Sequence, residues 1–147
     1  MTADDKLFQL FNEIGIIAQL SGTLFERVMP EGMTLAQFTV LNHFVRLGGE
    51  RSPAQLAAAF QVTRGTMTST LQKLEAKNLV DIAPDKADAR AKIVRITEAG
   101  RRMRERCITA LGPKLADLSQ KLDGPDINAI VEPLQRLRRE LDRARDD

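Results

Sequence analysis

Cysteine, histidine and the larger aromatics are nearly missing from this chain. One cysteine, Cys107, and one histidine, His43, stand among 147 residues, with no tryptophan and no tyrosine. A single cysteine excludes an intramolecular disulfide and any cysteine-built metal cluster, and it fits a reducing compartment. A single histidine excludes a His-His metal site or catalytic pair. There is no glycine-rich phosphate loop, no nucleophile beside a base and no set of carboxylates at ligand spacing, so no cofactor, no metal site and no enzyme activity are expected. No apolar run approaches membrane-spanning length. The N-terminus MTADDKLFQLF begins acidic and turns amphipathic, without the basic-then-apolar order of a signal peptide. A soluble cytoplasmic protein with no membrane partner is expected.

What is present is aliphatic and charged. Apolar residues make up 43% of the chain, while aromatics are 4% and all six are Phe, a composition that points to helices. The net charge is only +2, but residues 61–104 hold ten Lys/Arg against five Asp/Glu, and the flanks are slightly acidic. A local positive zone of this kind is the footprint expected for a polyanion partner.

Leu7, Leu10, Phe11, Ile14, Ile17, Leu24, Phe25 and Val28 recur at three-and-four spacing, one helical stripe that ends at Met29-Pro30-Glu31-Gly32. Thr34 with Gln37 reads as a capping box for a second helix, which stops at Gly48-Gly49. Ser52-Pro53-Ala54-Gln55 opens a short third helix ending near Phe60, and Thr63 caps a fourth that reaches about Lys77, with Asn78 suited to a left-handed exit. LVDIA and KIVRI then form a hairpin over residues 79–96, whose tip lacks glycine and so is longer than a two-residue turn. Thr97 caps a long fifth helix with Met103, Cys107, Leu111, Leu115, Leu118 and Leu122 on one stripe, bent at Gly112-Pro113. Asp123-Gly124-Pro125 starts a sixth, with a second kink at Pro133.

Two helices joined by about three residues and followed by a hairpin have the spacing of a helix-turn-helix with a wing. On the fourth helix Met67, Leu71 and Leu74 face inward, which leaves Gly65, Ser69, Gln72 and Ala76 outward, flanked by Thr66, Thr68 and Lys73. A major groove admits a helix whose contact side chains are short or can pair with base edges, as Gln, Thr and Ser can. The hairpin tip, DKADARAK, would then reach an adjacent minor groove, where crowded phosphates attract an inserted Arg. Arg90 is the residue placed for that insertion, Asp88 could brace its guanidinium, and Lys86 and Lys92 would meet phosphates.

The chain resembles the MarR family of winged-helix transcriptional regulators. The residues that carry the resemblance are SPAQLAAAFQVTRGTMTSTLQKLEAKNLV (52–80), the D-x-R of Asp88 and Arg90, and I-T-E-A-G-R (96–101), in an order of six helices that also matches. The implied fold is mainly α with a small β wing. A winged helix-turn-helix lobe over about 34–96 is flanked by dimerisation helices over 4–29 and 97–145, all within one domain, 1–147. The resemblance implies a homodimer reading a palindromic double-stranded DNA operator, most often as a repressor, with release by a small aromatic or phenolic effector. It places Arg64, Gly65, Thr66 and Thr68 at the start of the recognition helix and Arg90 at the wing tip. Two departures stand out: Gln61 occupies a turn position where glycine is frequent, and the first helix lacks the cysteine of the oxidant-sensing branch.

The remaining candidates have plainer readings. Cys107, on an apolar stripe, reads as a packed thiol more than as a redox switch. His43 lies in the helix that borders the family's ligand crevice, so it is an effector-site candidate, though a structural His is the commoner case. Arg101, Arg102, Arg104 and Arg106 could extend a phosphate-binding surface or simply face solvent. The apolar stripes of the end helices exceed what a winged helix can cover, which calls for a partner copy. A winged-helix adaptor that binds protein and not DNA is the main alternative.

Overall fold

The computed structural model describes residues 1–122 and 124–145, so the helix start expected at Asp123 lies outside the described residues. Thr2 opens α1 (Ala3–Glu26) by accepting from the Asp5 amide, and Asp5 returns the bond to the Thr2 amide. No residue of α1 is buried. The chain then makes a single 3-10 turn, Pro30–Gly32, in which Glu31 (φ 52°) and Gly32 (φ 68°) are both left-handed.

Thr34 caps α2 (Leu35–Leu47) through the Gln37 amide, but the reciprocal half of the expected capping box is absent. The Gln37 side chain points inward and accepts from Lys77 Nζ at 2.9 Å. α2 stops at Gly48, whose φ of 69° a β-carbon would oppose. Ser52 and Gln55 form a complete box at the start of α3 (Pro53–Ala59). Gln61 adopts the left-handed conformation for which such turns frequently use glycine (φ 54°), and its side-chain amide donates to Ala58 O at 2.8 Å. That bond offsets part of the steric cost of a β-carbon there. Thr63 caps α4 (Arg64–Ala76), and Asn78 (φ 60°) makes the left-handed exit.

β1 (Val80–Pro84) and β2 (Lys92–Ile96) pair antiparallel, with Val80 opposite Ile96 and Pro84 opposite Lys92. Arg51, in the α2–α3 connection, adds one rung outside β2: its amide donates to Val94 O at 3.1 Å and its carbonyl accepts from Val94 N at 2.8 Å. Thr97 then caps α5 (Glu98–Lys121), and α6 (Gly124–Arg145) follows; each contains a proline, Pro113 and Pro133.

The chain forms two compact units, Met1–Leu111 and Gly112–Asp147. The core of the first is built from Val40, Leu41 and Phe44 of α2, Leu56 of α3, Met67, Leu71 and Leu74 of α4, Val80 and Val94 of the hairpin, and Met103 and Cys107 of α5. Each fully buried aliphatic side chain there contributes about 1.5–3 kcal/mol. The second unit has no buried residue on α6, which is laced by pairs such as Arg138–Asp142 at 3.1 Å. No described helix is long and apolar enough to cross a membrane.

Candidate nucleic-acid interface

The inward and outward faces of α4 divide as its spacing dictates. Met67, Leu71 and Leu74 are buried, and Arg64, Gly65, Thr66, Thr68, Ser69, Gln72 and Lys73 are all exposed. The Thr66 hydroxyl accepts from Thr63 Oγ1 at 2.9 Å, so Thr66 helps to build the cap as well as the surface. Gly65 is not required by internal packing: a β-carbon there would meet nothing nearer than Thr63 Oγ1 at 4.0 Å.

The wing tip explains its mixture of charges. Asp85 Oδ1 accepts from the Ala87 amide at 3.0 Å, and Asp88 Oδ1 from the Arg90 amide at 3.0 Å, while Ala91 N donates to Asp88 O and Asp85 N to Ala91 O. Both acids are thus spent on the loop's own backbone, as short Asp side chains commonly are in turns. Arg90 Nε lies 4.0 Å from Asp88 Oδ1 and its side chain is 97% exposed. Asp88 therefore shapes the turn that presents Arg90 and braces its guanidinium only at the edge of ion-pair range.

The positive zone is sorted by pairing. Arg95 bonds Glu50 at 2.5 Å, Arg101 lies 3.8 Å from Glu98, and Arg106 bonds Glu31 at 2.9 Å. Arg104 is held by Asn42 Oδ1 at 3.1 and 3.0 Å and by Glu105. Arg101, Arg104 and Arg106 thus each have a carboxylate neighbour. Among the described residues, Arg64, Lys73, Lys86 and Lys92 make no ion pair. The unneutralised cations of this region lie along α4 and the wing, with Arg102 apart on α5. Sequence reasoning missed Lys77, whose ammonium is turned inward; a lysine at a helix end carries no signal of that.

His43 and Cys107 lie away from this face. The His43 ring packs edge-on to Phe60 (centroids 5.1 Å apart) and Phe44 (6.5 Å), and burial, followed by Arg46 and Arg51, lowers its pKa from the ordinary value. The unfolded chain therefore binds this proton first as pH falls through about 6.5, so stability present above that pH is lost below it. Urea midpoints at pH 7.5 and 5.5 should show that loss, and His43→Gln should reduce the difference. The Cys107 thiol is fully buried, and burial pushes its pKa up against the smaller opposing effects of Arg106 and Lys77. A protonated, enclosed thiol is a poor oxidant target. No group of three metal-ligating side chains occurs among the described residues.

The sequence model described as MarR family matches residues 31–91, the stretch from the linker through α4 to the wing tip. Over that stretch the chain is similar to the MarR family, and the likeness to single relatives extends further. The multiple antibiotic resistance protein MarR of Escherichia coli is 28% identical over 137 residues, 87% of this chain and 94% of its own. The HTH-type transcriptional regulator YdgG of Bacillus subtilis is 31% identical over 90 residues, and the match spans 60% of this chain and 59% of that protein's length. Among solved structures, the transcriptional regulator BldR from Sulfolobus solfataricus superposes with a TM-score of 0.79 at 28% identity, covering 97% of this chain and 99% of that one. Both YdgG and BldR are described as transcriptional regulators.

Proposed function

We propose that this chain is a homodimeric, sequence-specific binder of double-stranded DNA that represses transcription at palindromic operators. The observation that carries the reading is the sorting of charge: the acids at the wing tip accept from the loop's own backbone, Arg95 and Arg106 are paired with Glu50 and Glu31, and Arg64, Lys73, Lys86 and Lys92 make no ion pair beside a short polar helix face. In a two-fold dimer the recognition helices would enter successive major grooves about 34 Å apart. Thr66, Thr68, Ser69 and Gln72 would meet base edges, and Arg90 would enter the minor groove. Leu7, Phe8, Ile17 and Leu20 of α1 and Ile130, Leu134 and Leu141 of α6 are exposed, which supports a partner copy.

A groove of about 490 Å³ is lined by Val45, Arg101, Arg102, Glu105 and Arg106, and Arg102, which makes no ion pair there, would be the contact for a small aromatic anion as effector. Such a ligand would act by shifting an existing population of lobe arrangements.

Titration with duplexes selected from promoter fragments over a series of salt concentrations tests the whole reading. Arg90→Ala should weaken binding by about tenfold and lower the salt slope by about 1. Adding a phenolic carboxylate to the same titration should release DNA from the wild type and not from Arg102→Ala. Absence of salt-dependent DNA binding would favour the adaptor reading.

A further inference from the structure

The lysines of α4 and the wing do not all face outward. Lys73, Lys86 and Lys92 are exposed, whereas Lys77, the residue that closes α4, sends its ammonium back to the α1–α2 linker and the start of α2. There Nζ donates to Gln37 Oε1 at 2.9 Å and lies 3.5 Å from Gly32 O and 3.8 Å from Met33 Sδ. Gln37 and Met33 are each only 3% exposed. Gln37 forgoes the reciprocal cap bond to Thr34 in order to accept from Lys77, so a local interaction is given up for one that spans 40 residues.

The linker that receives Lys77 is itself held firmly. Glu31 and Gly32 are consecutive left-handed residues, Glu31 accepts from Arg106 on α5 at 2.9 Å, and Glu26 at the end of α1 accepts from the Leu35 amide at 2.8 Å. α1 carries the exposed apolar face on one side of this linker, and α4 carries the short polar face on the other. Lys77 is the side-chain strut between them.

We infer that Lys77 is a positioning residue: its ammonium ties the exit of α4 to the α1–α2 linker and so sets the angle at which the recognition helix is offered to the groove. The inference rests on the DNA-binding reading above. It gives Lys77 a role in discriminating sequences without a contact to DNA, because a tilt of α4 disturbs base-edge hydrogen bonds more than phosphate contacts, which tolerate displacement.

Lys77→Met keeps the aliphatic stem and removes the ammonium. Its affinity should be measured for a duplex selected by the wild type from a random pool and for a mixed-sequence duplex of equal length, across a salt series at a temperature where both proteins are folded. Affinity for the selected duplex is expected to fall by about tenfold, with the mixed duplex and the salt slope unchanged. Gln37→Met should do the same, and the double variant should be no worse than either single one, the mark of a shared interaction.

A salt slope lowered by about 1 would make Lys77 a phosphate contact and overturn the inference. A lowered melting temperature with the ratio of the two affinities unchanged would overturn it too, as a purely structural role. Should Lys77→Met not fold, Gln37→Met carries the same readings. A wild type that does not distinguish the two duplexes would refute the DNA-reading proposal itself; one that does, with the ratio unchanged in the variants, refutes the strut alone.

Discussion

Replacing Gly100 with alanine is expected to destabilise the first unit by about 3 kcal/mol or more, a large share of an ordinary domain's stability. A β-carbon on Gly100 would stand 2.1 Å from Leu79 O and 2.8 Å from Ile96 Cγ1. The first of these is backbone and cannot rotate away, so α5 must lift off the exit of α4. The same contact holds two further bonds: Thr97 N donates to Leu79 O at 3.1 Å, and Thr97 Oγ1 donates to Asn78 O at 2.7 Å. Overpacking costs about 1–3 kcal/mol, and the two hydrogen bonds are worth about 0.5–1.5 kcal/mol each. Urea unfolding should show a lowered midpoint at an unchanged slope. Gly65→Ala is the control, since that exposed helical glycine has nothing nearer its β-position than Thr63 Oγ1 at 4.0 Å and should gain up to about 1 kcal/mol. Equal stability of Gly100→Ala and wild type would show that the packing is looser than the distances state.

Placing a charge on the exposed side of α1 should have the largest effect on binding. Ile17 is 59% exposed and is not part of the core formed by the described residues. In the proposed dimer it faces a second copy, where Ile17→Glu would bury an unpaired carboxylate twice by symmetry, each costing about 3–5 kcal/mol. Light scattering should show monomers at concentrations where the wild type is dimeric. Affinity for a palindromic duplex should fall at least about a hundredfold, because the second lobe is no longer tethered to the first. A variant that stays dimeric and binds as before would remove α1 from the interface.

The parts of the fold legible in the sequence are those written in short-range chemistry. Ser52-Pro53-Ala54-Gln55 announces its helix through groups three residues apart, and the structure forms both bonds of that box. The period of Met67, Leu71 and Leu74 sets the face of α4, and the absence of glycine between the strands lengthens the hairpin. I-T-E-A-G acquires its physical meaning only in three dimensions: Thr97 latches Asn78, and Gly100 permits contact with Leu79. What the sequence could not show depends on distant partners. Thr34 and Gln37 carry the same local signal as Ser52 and Gln55, yet Lys77 outcompetes the cap for Gln37. Composition likewise treats Arg95, Arg106 and Lys92 alike, whereas Glu50 and Glu31 neutralise the first two from other elements. Which cations stay without a carboxylate is therefore set by the fold and not by composition.

The rung that Arg51 adds to β2 divides the wing into two mechanical parts. Its root is stapled on both edges, by β1 and by the connection between α2 and α3, so it moves with the lobe as one piece. Residues 85–91 are held instead by their own bonds, the Asp85 and Asp88 turns and the Asp85 N to Ala91 O link across the loop's base. In the proposed complex a finger built this way would adjust its last joint to grooves of differing width while its knuckle keeps the helix in register.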